Sequence, residues 1–229
     1  MTPLAQNVTF TSGNSRLSGY IARPTDSGPS PGVIVIHEAY GLNDNIRDIS
    51  RRLAGEGYIA LAVDLFSGRN RAFCMFKVMG GLLLNPLNNE GTRYLKAALT
   101  FLGEQEGVDV SRLGAIGFCM GGGLAIAWAC TDDRLRVIAP FYGTNPRPLA
   151  AVARSCPVVG SYPGADFTAR SGRKLDAALD VYRVPHEIKI YPGAKHSFFN
   201  DQGAYYDPAA SADGWERTLT YFGTRLGTG

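Results

Sequence analysis

The chain has 229 residues, 45% of them hydrophobic and 19% charged, with a formal net charge of +3. That much apolar material supports a sizeable core and argues against global disorder. With 23 basic against 20 acidic residues and no dense Lys/Arg block, nucleic acid is not the expected partner.

The elements follow in chain order, beginning with an antiparallel pair over Val8–Thr11 and Leu17–Ala22, split by the turn composition Ser-Gly-Asn-Ser. Gly32–His37 (GVIVIH) is a continuous apolar run suited to a buried parallel strand. Asn43–Gly57 is helical, because Ile46, Ile49, Leu53 and Ala54 recur at helical spacing before two glycines. Ile59–Leu65 is the next buried strand. Ser67–Asn89 has no clear period and reads as an irregular cap or pocket wall. Glu90–Gln105 is a helix, Leu113–Phe118 a strand and Gly121–Ala129 a helix. Val137–Phe141 and Pro157–Ser161 are strands, Arg170–Tyr182 a helix, Glu187–Tyr191 a strand and Pro208–Leu226 a closing helix. Strands alternating with helices predict one α/β domain with a mostly parallel, doubly wound sheet behind an N-terminal antiparallel hairpin. Chemistry in such a sheet belongs beyond the carboxyl ends of the strands.

Leu113–Cys130 imitates a membrane span, since it carries no charge and contains Gly117-x-x-x-Gly121. Its five glycines and its change from strand-like to Ala-rich character favour a soluble strand–turn–helix instead. The four cysteines form no C-x-x-C pair. The N-terminus lacks the pattern of a signal peptide, so free thiols in a reducing cytoplasm are expected.

Gly117-Phe118-Cys119-Met120-Gly121 fits the pattern G-x-nucleophile-x-G between a strand and a helix. A sharp turn there exposes the nucleophile, and the flanking glycines let backbone approach without a Cβ clash. Cys74, Cys130 and Cys156 lack this setting and read as packing residues. A thiol with pKa ~8.5 is only slightly ionised at neutral pH, so it needs a base or a cation. His196, in the loop after a strand, is best placed as the base. His37 ends a buried strand, and His186 reads as a surface residue. Asp166, in the loop Tyr-Pro-Gly-Ala-Asp, is the candidate to orient the imidazole. Asp176 and Asp180 fall inside a helix and read as solvated. His37-Glu38-Ala39-Tyr40-Gly41 is not H-E-x-x-H, so no metal site is indicated.

These pieces together resemble the dienelactone hydrolase family: the HEAYGLN loop, GFCMGG, the PGAD loop and KHSFFND. The resemblance runs from Val8 to Phe222. It implies an α/β-hydrolase fold without a large lid, no cofactor, and hydrolysis of lactones or esters through a thiol acyl-enzyme. It implies Cys119 as nucleophile, with Asp166 and His196 completing the nucleophile–acid–base order. Glu38 would hold the resting thiol neutral and later help remove its proton. The backbone N–H groups of Met120 and Ala39 would hold the oxyanion. Family members that take dienelactone use an arginine shortly after the histidine, whereas here Ser197-Phe198-Phe199-Asn200 follows. Arg69 and Arg71 are the candidate cations for substrate, and Tyr142 and Phe198, with Phe199 and Tyr40, suggest an apolar pocket. The expected partner is a small-molecule ester or lactone, with no membrane, and the expected state is a monomer. A general carboxylesterase or thioesterase, or a non-catalytic thiol sensor or ligand-binding protein, are the alternatives that these residues leave open.

Overall fold

The computed structural model describes residues 3–25, 28–68 and 70–227. Eight strands form one sheet: β1 (Leu4–Ser12), β2 (Ser15–Arg23), β3 (Ser30–Ile36), β4 (Ile59–Asp64), β5 (Val108–Phe118), β6 (Leu135–Phe141), β7 (Val158–Pro163) and β8 (His186–Tyr191). Their spatial order is β1-β2-β4-β3-β5-β6-β7-β8. β1 and β2 pair antiparallel, as do β2 and β4, while β4, β3, β5, β6, β7 and β8 run parallel. This is the α/β-hydrolase arrangement. The chain leaves β3 toward β4 on one side and returns to β5 on the other. The β3/β5 boundary is therefore the switch point, where a crevice opens beyond the carboxyl ends of the strands.

Period-two alternation assigns the side chains to two cores. Ile34 and Ile36 of β3 and Leu61 and Val63 of β4 face one core. Val33, Val35, Ala60 and Ala62 face the other. The first core is covered by α3 (Glu90–Gly103), α4 (Met120–Ala129) and α5 (Thr168–Val181), with α2 (Arg71–Leu84) over its margin. The second is covered by α1 (Asp44–Gly55) and α6 (Pro208–Leu226). Every residue of α4 is buried, which explains why Leu113–Cys130 looks like a membrane span. It is the end of β5, a turn and α4. No helix among the described residues is long and apolar enough to cross a membrane.

The segment expected to be irregular contains α2 instead. Its inner face buries Cys74 and Val78. Phe73, Phe76, Met79, Leu83 and Leu84 are exposed on the outer side. A helix that is apolar all round has no amphipathic stripe, so periodicity does not reveal it. A short 3-10 helix, Leu149–Arg154, is the other unexpected element. Cys74 and Cys130 are buried, and Cys156 packs against the first core. His186 is not a surface residue. Its side chain is 11% exposed, with Nδ1 2.8 Å from the Val184 carbonyl and Nε2 3.2 Å from the solvated Asp176.

Candidate active site

Cys119 sits at the sharp turn between β5 and α4, in a strained backbone conformation with φ 54° and ψ −113°. Holding a non-glycine residue there costs about 1–3 kcal/mol, which the surrounding packing must offset. The flanking glycines permit that packing. A Cβ on Gly117 would lie 2.3 Å from the Gly121 carbonyl oxygen, and one on Gly121 would lie 2.4 Å from that of Ile36. The elbow is therefore pressed against the end of β3, which brings the loop Glu38–Gly41 to the sulfur.

Glu38 is buried. One carboxylate oxygen accepts a hydrogen bond from Asn200 Nδ2 at 3.3 Å, and the other, Oε1, has no partner. The Cys119 thiol is half-buried. Burial, then the negative charge of Glu38, push its pKa up to about 11, against the pull of the Met120 and Ala39 backbone N–H groups. The same carboxylate, after burial, raises Tyr142, whose ring lies in the core beneath the site. Tyr142 is another strained residue, with φ 41°.

β7 and β8 carry the remaining pair. Gly164 N–H donates to the Tyr191 carbonyl at 2.8 Å and Ala165 N–H to the Ala194 carbonyl at 3.0 Å. These bonds tie the two loops together beyond the strand ends. The buried Asp166 carboxylate is hydrogen-bonded to His196 Nδ1, and its other oxygen accepts from Thr168 N–H at 2.8 Å. Phe167 stacks on the imidazole with ring centres 5.7 Å apart, and Tyr142 approaches it at 5.1 Å. No hydrogen bond joins the Cys119 sulfur to His196 among the described residues.

An open cavity of about 520 Å³ lies beside His196, lined by Tyr40, Asn43, Arg71, Asn200, Gln202 and Tyr205 among others. Cys119 is not part of its wall. Arg71 begins α2 and donates to the Tyr40 carbonyl at 3.3 Å. Arg69 lies outside the described residues. Phe198, Tyr142 and Phe199 are corrected as pocket residues: all three are buried, Phe198 against Phe141, Tyr142 and Tyr191, and none lines the cavity or offers substrate a surface. Sequence reasoning also passed over Phe167, Gln202 and Tyr205, which sit in loops with no pattern to mark them. Among the described residues, no three His, Cys, Asp or Glu side chains are grouped as a metal site requires.

The family model of the dienelactone hydrolases matches residues 17–226. The chain belongs to the dienelactone hydrolase family. A protein of Saccharolobus solfataricus, provisionally named a carboxymethylenebutenolidase, is 35% identical over 95% of this chain and 98% of its own. A provisionally named carboxymethylenebutenolidase of Synechocystis sp. is 31% identical over 96% of each chain. Among solved structures, P91, a dienelactone hydrolase-like promiscuous phosphotriesterase from metagenomic libraries, superposes with a TM-score of 0.89 at 28% identity. It covers 99% of this chain, and its own chain is covered in full. As a dienelactone hydrolase family member, the protein is a hydrolase of esters or lactones.

Proposed function

We propose that the protein hydrolyses carboxylic esters or lactones through a cysteine nucleophile and a thiol acyl-enzyme. The observation that carries this reading is the convergence of Cys119, Glu38 and the Asp166–His196 pair at one end of the sheet. Cys119 rests as a neutral thiol, protected from alkylation by burial and by the Glu38 charge. Substrate entering beside His196 displaces the Glu38 carboxylate onto the thiol, and the unpartnered Oε1 takes the proton. The sulfur then attacks the carbonyl carbon. Its oxygen becomes an oxyanion facing the Met120 and Ala39 N–H groups, each such donor being worth ~10²–10³ in rate. As the tetrahedral centre collapses, the C–O bond breaks and the alcohol leaves with the proton that the thiol gave up. His196, its tautomer held by Asp166, takes a proton from water. The hydroxide attacks the thioester, the C–S bond breaks and the thiol recovers its proton.

The cavity beside His196 suits the substrate, with Arg71 offering a cation and Tyr40 and Tyr205 apolar walls. Tyr142 acts from below, through its closeness to Glu38 and the imidazole. Steady-state hydrolysis of p-nitrophenyl acetate, dienelactone and a phosphotriester by the wild type and by Cys119→Ala tests this reading. The phosphotriester is included because P91 is named for that activity. Turnover of an ester or lactone that falls at least ~10³-fold in the variant supports it. Equal turnover by both proteins removes the cysteine from the mechanism.

A further inference from the structure

His37 is fully buried at the end of β3, and the mechanism above does not use it. Both of its ring nitrogens are committed. Leu65 N–H donates to Nε2 at 3.1 Å, so Nε2 carries no proton. The proton of the neutral ring is therefore on Nδ1, which lies 2.5 Å from the Glu38 carbonyl oxygen and donates to it. The ring also packs on Phe66, with centres 4.8 Å apart. Burial, the largest influence, lowers its pKa and keeps the ring neutral, against the opposing pull of the Glu38 carbonyl and Asp64.

The peptide that His37 holds joins Glu38 to Ala39. A trans peptide is planar, with its C=O and N–H pointing in opposite directions. Anchoring the Glu38 carbonyl toward His37 therefore turns the Ala39 N–H the other way, toward the elbow. Gly41 N–H reinforces the anchor, donating to the same carbonyl at 3.2 Å. A Cβ on Gly121 would lie 2.7 Å from the His37 carbonyl oxygen, so this loop packs directly on the turn that carries Cys119. A hydrogen bond accepted by a carbonyl also polarises its peptide and makes the N–H a better donor.

We propose that His37 is a positioning residue for the oxyanion site, its Nδ1–H fixing the Glu38–Ala39 peptide so that the Ala39 N–H faces the reacting carbonyl. The Leu65 bond on Nε2 selects the tautomer that makes this possible. This inference rests on the cysteine-hydrolase reading, because an oxyanion must form at Cys119 for the peptide's direction to matter.

Two amide substitutions separate the roles of the two nitrogens. In His37→Asn the side-chain amide nitrogen replaces Nδ1 and can still donate to the Glu38 carbonyl, while the Leu65 bond is lost. In His37→Gln the longer side chain reaches toward Leu65 but removes the side-chain donor to the Glu38 carbonyl, leaving it only the longer bond from Gly41 N–H. The measurements are kcat and KM for p-nitrophenyl acetate, with thermal melting as a check of folding. For His37→Gln the expected result is a kcat at least ~10-fold lower at a KM within about twofold, part of the ~10²–10³ that a lost oxyanion donor costs. His37→Asn is expected to keep kcat within about threefold despite a lower melting temperature. Retained kcat in both variants, its loss in both, or its loss in His37→Asn alone overturns the assignment. A variant that does not fold leaves the nitrogen NMR of wild-type His37 to decide. A protonated Nδ1 and a bare Nε2 support the proposal, and the opposite tautomer refutes it. Cys119→Ala run alongside separates the two readings: wild-type turnover that does not depend on Cys119 sinks the hydrolase mechanism, whatever the His37 variants do.

Discussion

The resting sulfur of Cys119 feels a buried carboxylate, that of Glu38, and two backbone N–H groups, those of Met120 and Ala39. The N–H groups favour the thiolate, but burial and Glu38 oppose it and win, placing the thiol near pKa 11. Glu38→Gln removes the negative charge, so the thiol pKa falls, although burial keeps it above the ordinary value. Each unit of decrease raises the thiolate fraction at pH 8 about tenfold, and iodoacetamide labelling rises with it by a smaller factor, because a less basic thiolate is a weaker nucleophile. Turnover should drop in the same variant, because the proposed proton acceptor is gone. Unchanged labelling would mean that the carboxylate does not restrain the thiol. Asp166→Asn tests the other pair. An amide beside Nδ1 favours the wrong imidazole tautomer, and kcat is expected to fall about 10³–10⁴-fold with KM little changed.

The elbow depends on two elements being in backbone contact. Gly121→Ala would set a methyl group 2.4 Å from the Ile36 carbonyl and 2.7 Å from that of His37, both main-chain atoms at the end of a central strand. We expect a loss of about 3 kcal/mol or more in denaturant unfolding, together with lost activity, because relieving the clash moves the Glu38–Ala39 loop. Asn43→Ala removes the cap of α1, in which Oδ1 accepts from Ile46 N–H at 3.1 Å, as well as a polar group from the cavity wall, and should cost about 1 kcal/mol of stability. The elements that were legible in the sequence are those whose burial imposes a period. β3, β4 and the inner half of β5, Leu113–Phe118, show apolar runs, and α1 shows a helical stripe, whereas the polar start of β5, Val108–Arg112, carries no such signal. α2 was illegible because Phe73, Phe76 and Leu84 face solvent while Cys74 and Val78 face the core. Chain order pointed to Asp166 and His196 together, and their loops are joined by backbone bonds that no side-chain pattern records. Phe198 looked like a pocket residue because it follows His196, yet the turn at Ser197, with φ 61°, sends it into the core. The Asn200–Glu38 bond spans 162 residues, and only the folded chain reveals it.

At the scale of the whole molecule, the buried neutral His37 couples stability to pH. Its folded pKa lies below 6.5, so between those two values the unfolded chain binds a proton that the folded chain refuses. Stability therefore rises with pH across that window and is lost as pH falls below 6.5. The depressed carboxyls of Asp132 and Asp213 act only at lower pH, below the ordinary aspartate value. The melting temperature should decline between pH 7 and 5, and less steeply in His37→Asn. Equal slopes in the two proteins would show that His37 is not the titrating group. The central claim, that Cys119 carries the acyl group, is tested most directly by quenching His196→Asn during reaction with p-nitrophenyl acetate and mapping the modified peptide by mass spectrometry. The account predicts one acetyl group accumulating on Cys119, because acylation proceeds while the base for deacylation is missing. An acetyl group on any other residue, or full turnover by Cys119→Ala, would contradict it.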